Sequence, residues 1–248
     1  MTAPVTVLLG ATGGVGAATA RLLAARGHRL HLLGRDADRL AALAAEVGAA
    51  GTAVVDARDV DAVGTAVEAV ATAEGRLDGA ASVVGSLLLK AAHQTSAEEW
   101  AEVLAVNLTS AFALLRAAAP RMRGTGGSIV LTSTAVVRTG MANHEAIAAA
   151  KGGVEGMVRT AAATYGGTGV RVNAVAPGLT RTPLTARITA NEAQAAASAQ
   201  LHVLGRIGEP EDVAGALAWL LDPATTWVTG QVLGVDGGLG SARPRARA

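Results

Sequence analysis

The chain has 248 residues, 50% of them hydrophobic and 2% aromatic, with 21 basic against 20 acidic side chains and no cysteine. That length suits one α/β domain whose core needs no staples, and the missing cysteines exclude disulfides, thiolate metal sites and cysteine nucleophiles. A net charge of +1 with so few aromatic rings argues against nucleic acid or a membrane surface as partner.

Strand and helix signals alternate along the chain. Residues 5–9 form a short β-branched run ending at glycines, and 14–26 has helical apolar spacing closed by Gly27. A strand at 30–33, a helix at 37–47, a strand at 52–55 and a helix at 59–73 follow. The strand at 80–84 ends at Gly85. Ser96 and Glu99 form a capping-box pattern that opens one long helix towards Pro120. After a strand at 128–132 come a helix at 143–164 and a strand at 170–175. Residues 183–205 are Ala-rich, expected to be helical and to form a substrate lid. Pro210, with Glu211 and Asp212 beside it, opens a helix to Leu221, and 228–235 is the last strand.

This alternation predicts an α/β fold: a Rossmann-type doubly wound parallel sheet of about seven strands, with helices on both faces. Residues 1–240 are expected to form a single domain and 241–248 a flexible tail. The apolar N-terminus lacks a basic n-region, and no apolar run of about 18 residues lacks a charge. Neither export nor a spanning helix is expected, and the location is read as cytoplasmic. Ligands of such sheets bind where strands end, so residues just after strands are the informative ones.

Between the first strand and first helix lies Gly10-Ala11-Thr12-Gly13-Gly14-Val15-Gly16. Glycines there permit a tight turn and close approach of a pyrophosphate, which the helix N-terminus attracts. Alone, such a turn also fits an S-adenosylmethionine enzyme. Further markers follow in order: Asp56 after the third strand, Asn107, the strand Ser128-Ile129-Val130, Lys151, the run from Arg171 to Gly178, Thr229-Gly230-Gln231 and Asp236-Gly237-Gly238.

In that order, over about residues 4–238, the sequence resembles the short-chain dehydrogenase/reductase family. The resemblance sets the methyltransferase reading aside. It implies NAD(P)-dependent oxidation or reduction of an alcohol/carbonyl pair of a small molecule, in a homotetramer or homodimer. It implies cofactor contacts from Gly10, Thr12, Gly13, Gly14, Val15 and Gly16 in the turn. Others are implied from Asp56 (to the adenine amino group) and Ala57, from Gly85 and Lys151, and from Pro177, Gly178, Leu179 and Thr182. Where the family carries an acidic residue after strand two, this chain has Gly34 and then Arg35. No carboxylate repels a 2′-phosphate there and a guanidinium can pair with one, so NADP(H) is expected over NAD(H).

The pattern breaks at the proton donor. The family's active-site Tyr lies four residues before the Lys, and here that position is Ile147; the only Tyr is Tyr165. The family's Ser falls on Thr134, and its Asn-Asn-Ala-Gly reads Ser82-Val83-Val84-Gly85. Asn107 and Lys151 remain. A general acid contributes roughly 10²–10⁴-fold, so a good reductase needs a substitute. His144, three residues before Ile147 and seven before Lys151, would share their helix face, and imidazole titrates near ~6.5. The candidate catalytic set is therefore Asn107, Thr134, His144 and Lys151. No spacing of His with Asp or Glu argues for a metal. His202 is placed in a mobile region before the last helix. Two rival readings are a cofactor-binding protein without redox turnover, acting as partner subunit or sensor, and a redox-neutral lyase or isomerase using the same cleft.

Overall fold

The structure is a computed structural model and describes residues 2–243. Seven parallel strands, β1 (Val5–Leu9), β2 (Arg29–Gly34), β3 (Gly51–Val54), β4 (Gly79–Ser82), β5 (Gly127–Thr132), β6 (Val170–Pro177) and β7 (Val232–Val235), form one sheet in the order β3-β2-β1-β4-β5-β6-β7. All five residues of β1 are buried, as a strand covered on both faces requires. α1 (Gly14–Ala25), α2 (Ala37–Val47) and α10 (Pro210–Leu221) pack Leu23, Leu40 and Leu217 on one face. α3 (Val60–Glu74), α5 (Ser110–Met122) and α7 (Glu145–Tyr165) pack Val67, Leu114 and Val158 on the other. The strand order turns outward in both directions from β1 and β4, which opens a crevice at their carboxyl ends.

Several boundaries differ from the sequence expectation, each for a local reason. The helix expected from Ser96 towards Pro120 is two helices, α4 (Ala97–Leu104) and α5, joined by a π-helical turn at Ala105–Thr109. The capping box at Ser96 and Glu99 is formed. Pro120 sits inside the last turn of α5, on its exposed side, where a missing amide costs least. The run Ala97–Met122 is long and apolar enough to cross a membrane by length and composition, and half of its most apolar window is buried in the core.

After the short α6 (Val136–Thr139), α7 starts at Glu145 because Asn143 takes a left-handed conformation, φ 64°, which Asn tolerates better than most residues. The last strand is shorter than expected. Before Val232, side chains interrupt the backbone pairing: Val172 N–H donates to Thr229 Oγ1 (3.0 Å), and Asn173 Nδ2 donates to the Val228 carbonyl (2.8 Å). Gln231 N–H then donates to Asn173 Oδ1 at 3.1 Å. Residues 183–205 contain the short helices α8 (Ala186–Thr189) and α9 (Glu192–Leu201); α9 buries no residue of its own. Of the tail expected at 241–248, residues 244–248 lie outside the described residues.

Candidate active site

The turn after β1 is built on backbone contacts. Gly10 has φ +85°, and a Cβ on Gly16 would overlap the Gly10 carbonyl oxygen and lie 2.7 Å from that of Ala11. A Cβ on Gly14 would lie 3.0 Å from the Thr182 side chain, so the loop after β6 closes over the start of α1. Gly13 is different. Its Cβ would meet only the Gly10 oxygen, at 3.4 Å, so chain packing does not demand a glycine there. Gly13 is the N-cap of α1, no side chain caps the helix, and its first turn carries no acidic residue. The first amides and the positive end of the helix dipole are left for an anion. A dinucleotide pyrophosphate fits this cradle.

Arg35 is exposed at the end of β2. Arg39, one turn further along, donates to the Thr12 carbonyl. The sequence reading missed Arg39, although its position in the first turn of α2, capped by Asp36, puts a second cation beside the glycine turn. Asp56 is more committed than expected. Its carboxylate accepts from Arg58 Nη2 (2.6 Å) and Nε (3.0 Å), and from the Arg58 backbone N–H (3.0 Å). Arg58 beside it, helped by the more distant charge of Arg35, holds Asp56 down to about 2. Arg58 in turn grips Glu102 at 3.0 Å. Ala57 is buried.

Gly85, Asn107 and Lys151 come together behind the crevice. A Cβ on Gly85 would lie 3.3 Å from Asn107 Oδ1 and 4.0 Å from Lys151 Nζ. Asn107 lies in the π-helical turn and is fully buried. Its amide donates to Ser86 Oγ (2.8 Å) and the Val103 carbonyl (3.0 Å), and its oxygen accepts from Ser86 N–H (3.1 Å). Lys151 is buried on α7, and Nζ donates to the Val84 carbonyl at 3.3 Å. With no carboxylate paired to it among the described residues, burial pushes this ammonium down to about 8.

Thr134, His144 and Ile147 line one cavity of about 450 Å³ together with Pro177, Gly178 and Leu179. Thr134 follows β5, and its Oγ1 makes a long contact, 3.5 Å, with the Pro177 carbonyl. Contrary to what its spacing from Ile147 and Lys151 predicts, His144 does not lie within the helix. Asn143 delays the helix, so His144 is its N-cap, with φ −112°. Its Nδ1 pairs with the Ala142 carbonyl at 2.8 Å, leaving Nε2 for a ligand. The cavity, rather than the helix wheel, is what joins His144 to Ile147.

His202 is not in a loose region. It is buried, Nδ1 donates to the Ser198 carbonyl (2.8 Å), and Nε2 accepts from Leu179 N–H (3.3 Å). A Cβ on Gly178 would lie 2.6 Å from that nitrogen. Arg171 and Asn173 serve the fold: Arg171 Nη2 donates to the Leu220 carbonyl at 2.9 Å, and Asn173 holds the approach to β7.

A family model described as enoyl-(acyl carrier protein) reductase matches residues 10–240. A solved short-chain type dehydrogenase/reductase from Mycobacterium ulcerans superposes with a TM-score of 0.92 at 33% identity, covering 97% of this chain and 91% of that one. The chain belongs to the short-chain dehydrogenase/reductase family. Among curated members, it is similar to the cis-4-hydroxycyclohexanecarboxylate dehydrogenase of Sinomonas cyclohexanicum: 38% identical over 94% of this chain and 95% of that one. It is also similar to a variant of actinorhodin polyketide ketoreductase solved with NADPH, with a TM-score of 0.89, 29% identity and coverage of 97% of this chain and 98% of that one. These relatives are oxidoreductases of alcohols and carbonyls, and they point to a nicotinamide cofactor for this dehydrogenase/reductase.

Proposed function

We propose that this family member is an NADP(H)-dependent oxidoreductase acting on the alcohol/carbonyl pair of a small molecule, with His144 serving as the acid that position 147 lacks. One observation carries the reading: Thr134, His144 and Ile147 line the same cavity, beside the loop 177–179. The glycine turn would hold the pyrophosphate on the amides of α1, with Val15 and Thr182 around it. Arg35 would pair with the 2′-phosphate, flanked by Arg39, while Asp56 and Ala57 face the adenine. Gly85 and Lys151 would border the nicotinamide ribose. When bound, the cofactor supplies the hydride to the carbonyl carbon.

The chain's own residues handle the oxygen. Thr134 Oγ1 donates to the carbonyl and polarises it. His144 Nε2 gives its proton to that oxygen as it becomes an alcohol, and solvent returns the proton. The buried Lys151 ammonium keeps the cleft positive where negative charge develops. Residues 183–205 act as the lid of a single domain spanning 1–240. The small residues Ala149, Gly152 and Gly156 on α7, with the β7 edge, fit a homotetramer or homodimer. A monomer in sedimentation at micromolar concentration contradicts that assembly.

Two substitutions test the chemistry. His144→Phe is expected to slow NADPH-dependent carbonyl reduction by about 10²-fold or more. Ile147→Tyr is then expected to add little. A large gain from Ile147→Tyr with no loss at His144→Phe makes the protein a lapsed reductase and removes His144 from the mechanism. No NADPH consumption by any variant, despite tight cofactor binding, overturns the redox reading.

A further inference from the structure

The cavity also restricts what can be turned over. Its walls are Leu87 and Leu89 on one side, Val136, Met141 and Ile147 on another, and Ile188 and Leu201 from the lid. None of the lining residues is Lys, Arg, Asp or Glu, and His144 is the one titratable side chain among them. The charged groups of this region stand elsewhere. A second cavity of about 470 Å³, on the other side of residues 178–179, is lined by Arg206, Asp212 and Asp236.

Several of the polar groups that line the substrate cavity are engaged. Thr185 Oγ1 donates to the Thr180 carbonyl and accepts from Thr182 N–H at 3.1 Å. Gly178 N–H donates to the Val235 carbonyl at 3.2 Å, and Leu179 N–H is held by His202 at 3.3 Å. Gln194 is exposed at the rim. Ser198, on α9, lines the cavity too, and its hydroxyl forms no hydrogen bond among the described residues. Apart from Ser198 Oγ on the lid and the Gln194 amide at the rim, Thr134 Oγ1 and His144 Nε2 are the side-chain groups left to meet a substrate oxygen, and these two serve the one reacting position.

We infer that the substrate is a neutral, largely hydrocarbon ketone or secondary alcohol, alicyclic in size. This rests on the redox reading above and adds the substrate class to it. A carboxylate in this cavity would be buried with no cation to pair with, and extra hydroxyls beyond what Ser198 and Gln194 can meet would lose hydrogen bonds to water without replacement. An apolar ring gains with every Å² it removes from water.

The test compares three ketones with the NADPH-loaded protein: 4-tert-butylcyclohexanone, 4-oxocyclohexanecarboxylate and erythrulose. NADPH consumption gives kcat/KM, and calorimetry gives binding independently of turnover. The neutral ketone is expected to exceed the other two by at least about 100-fold in kcat/KM, the scale of leaving a charge or several hydroxyls unpaired. Ile188→Arg is expected to narrow its lead over the carboxylate at least 10-fold. Comparable or better use of the carboxylate or the ketose overturns the inference, as does failure of the neutral ketone to bind. Binding of the neutral ketone that Ile188→Arg weakens, without NADPH consumption, supports the substrate class and removes the redox reading instead.

Discussion

The glycine turn and the cleft over Ile147 are held by different parts of the chain. In the turn, a methyl group on Gly16 would overlap the Gly10 carbonyl oxygen, so backbone atoms alone fix its shape. In the cleft, side chains from several separate segments form the walls, and exchanging one for another leaves the backbone undisturbed. A residue such as Ile147 can therefore replace a reactive one without a trace in the fold. Persistence of the turn supports a dinucleotide site and says little about the chemistry beside it.

The widest separation between the two regions is expected within the turn itself. Gly16→Ala should cost at least about 3 kcal/mol of stability, since the clash is with backbone that cannot step aside. Gly13→Ala, whose Cβ would meet only the Gly10 oxygen at an ordinary 3.4 Å, should cost no more than about 1 kcal/mol and still weaken NADPH binding. Denaturant unfolding and calorimetry read both, and equal destabilisation would break the distinction between steric and ligand-facing glycines.

Lys151 tests the cleft in the opposite sense. Its folded-state value of about 8 lies below the ordinary 10.5. Below pH 8 the folded protein carries the full cost of a desolvated ammonium, on the order of 3 kcal/mol at ~1.36 per pH unit. Between pH 8 and 10.5 the unfolded chain binds more protons, so stability rises with pH. Lys151→Met should thus abolish turnover yet raise Tm at pH 7, with the gain disappearing above about pH 10.5. A lower Tm at pH 7 would mean that the bond to the Val84 carbonyl outweighs desolvation. The smallest effect expected is at the adenosine end. Arg35→Ala should weaken NADPH about 10-fold, the scale of one exposed charge-assisted contact, and leave NADH unchanged by calorimetry. Equal affinities in the unsubstituted protein would remove the NADP(H) preference.

What could be read in the sequence follows the same division. The strands, the helices between them and the glycine turn were legible because periodicity and backbone sterics write them locally. Lys151 and Asn107 could be placed by the motifs around them. Arg39 was missed because its partner, the Thr12 carbonyl, is remote in sequence, and the grip of Arg58 on Glu102 lies out of sight for the same reason. His144 was assigned to a helix face that Asn143 does not allow it, since Asn enters the left-handed region without announcing it in the pattern. His202 was taken for a mobile residue because only the folded chain brings Gly178 against its ring.

The π-helical turn at Ala105–Thr109 amounts to a phase slip. One extra residue advances the helix by about 100°, so the faces of α4 and α5 belong to two reading frames although the chain runs through both without a loop. The buried residues Val103, Asn107, Ala111, Leu115 and Ala119 recur every four positions, a spacing that drifts on a regular helix and that the wider turn partly corrects. The slip is centred on Asn107, so the residue that faces Gly85 is also the one at which the two frames are joined. For anyone recombining this chain with its relatives, a crossover on either side of the turn is sound only if the count of residues through it is kept. A difference of one residue would turn Asn107 away from Lys151 while leaving an uninterrupted and outwardly ordinary helix.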